Sequence, residues 1–250
     1  MSPLVKRVLC YAFGIAFVLV AWELGALALN TPAFPTPQET VPVFCQHAES
    51  LWPDFCISLH RVGFSLVVGT VFGLPLGLAL GRSPRADQLF APVLYILYPL
   101  PKIVILPILL VLLGLGGTPK IVLITLTIFF QVVMVMRDAA KAVPEQTLLS
   151  VRSLGAGKWD EWRYVVLPAT LPQLFTTLRV STAIAIAVLF FAESIAGSTG
   201  VGYFIMNSWA MVDYPRMFAG IIALALLGVA VYVFFDVCER RALRWKKSAR

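Results

Sequence analysis

The sequence predicts an all-α membrane protein of about six transmembrane helices, with both termini on the cytoplasmic side. Three observations predict it. The chain is 59% hydrophobic and 13% charged, whereas a soluble domain carries roughly 25% charged residues. Its apolar residues come in blocks near the length of about 20 residues that a membrane-crossing helix needs. Its lysines and arginines fall overwhelmingly on one set of alternate loops. Five or six such blocks with their connections use up the 250 residues. One membrane domain is therefore expected over 1–250, with no room for a separate soluble catalytic domain.

The expected spans are 8–29, 57–80, 91–113, 121–140, 174–197 and 218–237. The first follows Lys6 and Arg7 and is longer than the apolar core of a usual signal peptide, so it is read as a retained helix. Segment 30–55 opens with turn formers. Thr36, Pro37 and Glu39 then make a helix start, with an N-cap, a first-turn proline and an early acid. Val41, Phe44, Ala48 and Leu51 recur at helical spacing, so 37–52 is expected as a short amphipathic helix on the outer surface. Pro92, Pro99, Pro101 and Pro107 interrupt the third span. Proline is tolerated in a membrane helix where neighbours satisfy the freed carbonyls, and a kinked, interior helix is expected there.

With the N-terminus inside, fifteen Lys and Arg fall on the inner side: Lys6, Arg7, Arg82, Arg85, Arg137, Lys141, Arg152, Lys158, Arg163, Arg240, Arg241, Arg244, Lys246, Lys247 and Arg250. Only Lys120 and Arg216 fall on the outer side. Basic residues concentrate on the cytoplasmic side of membrane proteins, so this placement accounts for the net charge of +7 and no nucleic-acid partner is expected. Cys10, Cys45, Cys56 and Cys238 lack the paired spacing of zinc or iron–sulfur sites. Cys45 and Cys56 share the predicted external segment, which leaves two readings open: a disulfide, or two separate small apolar side chains.

The longest inner loop, 137–172, carries the most information. Pro144 and Glu145 can start a helix whose apolar face is Leu148, Val151 and Leu154, and Gly155 and Gly157 can end it. A second short helix, 158–166, aligns Trp159, Trp162 and Val166 before Leu167-Pro168 stops it. Apolar faces on the charged side of a membrane protein need a cover, either lipid headgroups or a soluble partner.

Signatures of catalysis are not met. Gly155-Ala156-Gly157-Lys158 resembles a phosphate loop only superficially, because Arg152 and Trp159 stand where that pattern needs Gly and Ser or Thr. His47 and His60 are too few for a histidine-based metal site and lie outside any HExxH pattern. No nucleophile elbow is present. Ionisable residues inside spans are candidates for function because burying a charge in hydrocarbon costs a few kcal/mol. They are Glu23, Arg61, Lys102 and Glu193. For Glu23 and Arg61 an interhelical pair or a snorkelling end is the plainer reading. Arg61 and Lys102 could serve an anion in passage as transient counter-charges. Glu193 and Ser194 precede the small residues Gly197, Ser198 and Thr199, a stretch suited to close helix packing or to a gate. Arg61, Lys102, Glu193 and Ser194 are thus the candidate path residues.

Arg152-Ser153-Leu154-Gly155-Ala156 followed by Val165-Val166-Leu167-Pro168 resembles the EAA loop of binding-protein-dependent ABC importer permeases. That motif reads Glu-Ala-Ala, three residues, Gly, nine residues, Ile-x-Leu-Pro. The nine-residue gap is kept here, while the opening triplet is Leu149-Ser150-Val151. Ala21-Trp22-Glu23, Phe34-Pro35-Thr36-Pro37, Ser58-Leu59-His60-Arg61, Tyr98-Pro99-Leu100-Pro101-Lys102, Ala192-Glu193, Gly200-Val201-Gly202-Tyr203 and Glu239-Arg240-Arg241 extend the resemblance over most of the chain. It is closest to the taurine, sulfonate and nitrate branch.

The resemblance implies a type I ABC importer permease in a bacterial inner membrane. Leu149, Ser150, Val151, Arg152, Leu154, Gly155, Ala156, Val165, Leu167 and Pro168 would belong to a coupling loop docked on a cytoplasmic ATPase subunit. ATP and Mg would bind that partner, and no cofactor this chain. A second permease subunit, expected to be an identical copy, and a periplasmic or lipid-anchored substrate-binding protein would complete the transporter. A small anion such as a sulfonate, taurine or nitrate is the implied solute, and a vitamin or pyrimidine precursor the alternative. An ion-gradient transporter would call for internal repeats with interrupted helices, and a lipid enzyme for clustered His, Asp or Glu at one interface; neither is found.

Overall fold

The computed structural model describes residues 3–244. Lys246, Lys247 and Arg250 of the expected basic tail lie outside the described residues, as do the side chains of Lys6, Arg7 and Cys10. The described chain is all-helical: α1 Pro3–Leu29, α2 Pro37–Arg82, α3 Pro84–Leu97, a 3-10 turn Lys102–Ile105, α4 Leu106–Leu113, α5 Thr118–Lys141, α6 Glu145–Ser153, α7 Lys158–Glu161, a π turn Trp162–Val166, α8 Leu167–Ala196, α9 Val201–Ala210 and α10 Tyr214–Ala242. Five of its helical stretches are long and apolar enough to cross a membrane, and a sixth crossing results if the bent pair around residues 98–101 counts as one.

The expected surface helix and second span are one element. Thr36 caps α2 with its hydroxyl on the Glu39 N–H at 3.3 Å, and the Glu39 carboxylate accepts the Thr36 N–H at 2.8 Å, a reciprocal capping box. From there α2 runs 46 residues through Pro42, Pro53 and Pro75, about 69 Å at 1.5 Å per residue. Its first part is not laid on a surface: Leu51 is buried, and Phe44 and Phe55 pack with it against Val201, Phe204 and Ile205. Cys45 and Cys56 are free thiols on this helix. Eleven residues apart, they stand about 16 Å apart along the axis, too far for a disulfide.

The third span departs further from expectation. α3 and the segment Lys102–Leu113 meet at 80°, a break rather than a kink. Pro99 and Pro101 in close succession each remove an N–H from the helical ladder, so α3 stops at Tyr98, which itself keeps helical dihedrals at φ −61° and ψ −47°. Leu106 anchors the second limb in the core, while Val104, Ile108, Val111 and Leu112 are exposed on the isolated chain, so only one side of this limb is buried by its own subunit.

The core of the bundle is the α2–α5 pair, the most extensive helix contact in the chain. Gly69, Gly73, Gly77 and Gly81 recur every fourth residue, so all four face α5. A Cβ at Gly77 would stand 2.7 Å from the Val133 carbonyl oxygen and 2.8 Å from the Met136 Cβ. Small residues at this spacing let two helix backbones approach. Gly77→Ala is expected to destabilise the protein by about 1–3 kcal/mol, the usual cost of overpacking, read as a lower midpoint of thermal unfolding in detergent. Gly63→Ala, whose added methyl meets nothing within 4 Å, should not lower that midpoint.

At the basic end of the pair, Arg137 is buried rather than a loop charge. It is paired with Asp87 of α3 and donates to the Tyr95 hydroxyl at 3.1 Å, while Lys141 joins Asp87 at 2.5 Å. α1 touches the bundle lightly, through Trp22 stacked on Phe218 at 5.6 Å and bonded to the Pro35 carbonyl at 2.9 Å.

Candidate functional site

Three features lie along α8: a rigid loop at the basic end, a lysine halfway along the bundle and a buried ion pair at the opposite end.

The loop begins with α6, held to the bundle by Leu148, which is buried in the main core with Val143 and Val166. α6 ends in a Schellman cap: the Gly155 N–H reaches the Arg152 carbonyl at 2.9 Å and the Ala156 N–H reaches that of Val151 at 3.4 Å. This cap requires a left-handed residue, supplied by Gly155 at φ +88°. The Asp160 carboxylate then accepts the Gly157 N–H at 3.0 Å and starts α7. Arg152 forks onto Glu161 at 2.6 and 2.9 Å, a bidentate geometry that fixes the angle between the two short helices. The Glu161 carboxylate holds the Arg152 guanidinium above its ordinary pKa.

The second loop helix does not stop at Leu167-Pro168, as the sequence suggested. The Leu167 N–H bonds the Trp162 carbonyl five residues back, and this π turn lets the helix pass Pro168, which has no N–H to give. Thr170 donates from its hydroxyl to the Val166 and Leu167 carbonyls at 3.0 and 3.1 Å. α7 therefore continues into α8. Val165, Leu167 and Pro168 form the half-buried root of the loop, and Val151 and Ala156 are also half-buried. Ser150 is exposed and its hydroxyl is used on the Gln146 carbonyl at 2.9 Å. The apolar faces expected on the short helices divide between the core, which takes Leu148 and Val166, and the outside. Leu154 is 86% and Trp159 74% exposed, and Leu149 and Tyr164, farther along the same loop, are exposed as well.

At the far end of α8, Glu193 is fully buried at 0% exposure and Arg61 of α2 nearly so at 6%. Arg61 Nη1 donates to Glu193 at 2.6 Å and to the Thr199 carbonyl at 3.0 Å, and its Nη2 donates to the Thr199 hydroxyl at 3.0 Å. Ser58 donates to both Glu193 oxygens at 2.9 Å and accepts the Val201 N–H at 2.9 Å. The Gly202 N–H reaches Glu193 at 2.9 Å and the Gly200 N–H reaches Asp54 at 2.6 Å. Three N–H groups at the start of α9 are thus satisfied by carboxylates and a hydroxyl from α2 and α8, charges that suit a helix N-terminus. Gly200 sits at φ +107°, and a Cβ there would overlap the Glu193 carboxyl.

Of the expected path residues, the structure brings Arg61 and Glu193 together. Ser194 turns its hydroxyl back on the Phe190 carbonyl at 2.7 Å. Lys102 lies elsewhere, at the break after α3, where its Nζ donates to the Leu97 and Tyr98 carbonyls at 2.7 and 2.6 Å. Glu23 accepts from Gln38 at 3.4 Å. Sequence reasoning missed Lys120. Counted as an outer loop charge, it is 1% exposed at the start of α5 and lies in the field of Arg61 and Glu193. Its place directly after Pro119, at the head of an apolar run, was the available signal.

Residues 69–244 match the family model described as "Binding-protein-dependent transport system inner membrane component". The chain is 29% identical to the taurine transport system permease protein TauC of Escherichia coli strain K12, over 97% of this chain and 92% of the relative. It is 30% identical to the putative aliphatic sulfonates transport permease protein SsuC of Bacillus subtilis strain 168, over 93% and 86%. It is also 28% identical to the riboflavin transport system permease protein RibX of Chloroflexus aurantiacus, over 94% and 89%. Among solved structures, an inward-facing MetNI methionine ABC transporter chain superposes with a TM-score of 0.64 at 22% identity, covering 77% of this chain and 95% of that one.

Proposed function

We infer that this chain, which belongs to the family of binding-protein-dependent transport system inner membrane components, carries a small organic anion of the sulfonate class across the inner membrane and is driven through the loop at its basic end. The chain is the permease subunit of an ABC importer, and the family works with an ATPase partner and a substrate-binding protein. Our reading adds that the basic end faces the cytoplasm, by the bias of lysine and arginine toward that side, that two identical copies pair, and that residues 149–168 are the docking element.

One observation carries the docking assignment: a turn fixed from within by a Schellman cap and a bidentate Arg152–Glu161 pair holds Leu154 and Trp159 out, away from its own core. A flexible loop could not transmit displacement, and a self-contained one would bury its large apolar groups. Since α7 runs on into α8, movement of the loop is carried up the bundle toward Glu193. ATP bound to the partner would then shift the balance between two packings of the helices.

The sulfonate assignment is supported by the likeness to the taurine and aliphatic sulfonate permeases and by Lys102, a cation that forms no salt bridge among the described residues. A co-purification experiment tests the docking assignment. Leu154→Asp places a charge on a side chain that packs against almost nothing of its own, so insertion should be normal. Recovery of the ATPase subunit with the permease should fall by about tenfold or more, as for a buried apolar anchor of an interface. Full recovery with the Asp variant would place the docking surface elsewhere.

A further inference from the structure

Lys102 occupies an unusual position. The cavity it lines has a volume of about 290 Å³ and is walled by the α3 break, by Phe130 and Gln131 of α5 and by Ile184 and Val188 of α8. Phe130 and Gln131 are midway along α5, and α5 spans the membrane, so the ammonium lies near the bilayer centre. A charge at that depth is costly and is normally paired. Among the described residues Lys102 forms no salt bridge, whereas Arg61, Arg137 and Arg179 do. Its ammonium is held instead by two helix-end carbonyls and by the face of the Phe130 ring at 4.9 Å.

Capping α3 explains two of the three N–H groups and the position of the side chain. It does not explain why a full positive charge is kept where a neutral donor would cap the helix at lower cost. The third N–H has no acceptor among the described residues, and Gln131 and the Tyr98 ring stand on the same cavity wall. The volume is near the lower limit of ligand sites, roughly 300–1,000 Å³, and admits a solute of few heavy atoms. We propose that this cavity is a mid-membrane stopping point for the sulfonate group of a small organic anion, with Lys102 as the counter-charge and the apolar wall of Ile184 and Val188 receiving the carbon chain. The proposal rests on the permease reading. Because α8 carries Ile184 and Val188 and is continuous with the basic-end loop, movement of that loop would reshape the site and release the anion.

The test uses vesicles containing the complete transporter with its ATPase and binding protein, and taurine and ethanesulfonate as probes. Lys102→Met should lower ATP-driven uptake of both by about tenfold or more, the scale expected for losing a charge-assisted contact, while ATP hydrolysis stimulated by loaded binding protein persists. In a variant with Cys10, Cys45, Cys56 and Cys238 replaced by Ser, Lys102→Cys should be equally poor. Aminoethylation of that cysteine, which restores a cation, should recover uptake, and carbamidomethylation, which supplies a neutral N–H donor able to cap the Leu97 and Tyr98 carbonyls but no charge, should not. Unchanged uptake by Lys102→Met overturns the proposal. So does a loss that aminoethylation fails to repair, since the charge is then not what uptake needs, and so does a loss that carbamidomethylation repairs equally well or a failure of every variant to assemble, since both assign Lys102 to capping α3 alone. If the wild-type transporter takes up a neutral solute with ATP but neither sulfonate, the anion site is wrong and the permease reading stands. Wild-type vesicles without any ATP-dependent uptake would remove the permease reading itself.

Discussion

Arg61→Met is expected to strip most of the correctly folded protein from the membrane, at a cost of about 3–5 kcal/mol, the usual penalty for leaving one partner of a buried ion pair uncompensated. Glu193 has no exit to water: it is fully buried, and α2, α8 and the start of α9 converge on it. Removing the guanidinium also frees the Thr199 carbonyl and hydroxyl it binds. The measurement is the yield and thermal midpoint of monodisperse protein in detergent. Adding Glu193→Gln to Arg61→Met should recover part of both, since a neutral amide can still accept from Ser58 and Gly202. Recovery will be incomplete because the Thr199 contacts stay lost. A wild-type midpoint for Arg61→Met alone would mean the pair contributes nothing to holding these helices together.

Gly155→Trp is expected to abolish coupled transport while leaving insertion and assembly of the membrane bundle intact. At φ +88° any side chain costs about 1–2 kcal/mol in backbone strain, a local penalty at an exposed turn. A Cβ at Gly155 meets no atom within 4 Å, so a side chain has room to leave the turn. Gly155 and its neighbour Leu154 are both exposed, so a bulky side chain there is expected to obstruct whatever packs on the turn. ATP-driven uptake should fall by about tenfold or more, as when an interface anchor is lost, with normal amounts of permease in the membrane. Wild-type uptake by this variant would show that the turn does not seat against a partner.

Local signals in the sequence were legible where the residue's own chemistry decides. Thr36, Pro37 and Glu39 mark the start of α2 because a capping box is built from side chains three residues apart. Gly155 marks the end of α6 because few other residues accept its backbone conformation. The spacing from Gly155 to Leu167-Pro168 identified the loop as a unit. Signals that depend on a partner helix were not legible. Segment 37–52 and the span from 57 read as separate helices, yet α2 continues through Pro53 because packing of Leu51 and Phe55 on α9 and α10 outweighs one missing hydrogen bond. Pro168 reads as a stop, and the π turn that bypasses it has no signature of its own. Gly69, Gly73, Gly77 and Gly81 have meaning only once α5 lies against them. Arg137, counted as a loop charge, is buried because Asp87, fifty residues away in sequence, pairs with it, and Lys120 is buried because the start of α5 lies inside the bundle. For the ion pair itself, the sequence singled out Arg61 and Glu193 separately as intramembrane charges. Their pairing over 132 positions is a product of the fold.

The most direct test is ATP-dependent uptake into sealed vesicles that hold the purified permease, with and without the ATPase subunit it co-purifies with and the binding protein supplied outside. Uptake that requires the ATPase, ATP and an unmodified loop, and that stops with Leu154→Asp, is the predicted result. Solute movement at the full rate through the permease alone, without ATP hydrolysis, would contradict the account.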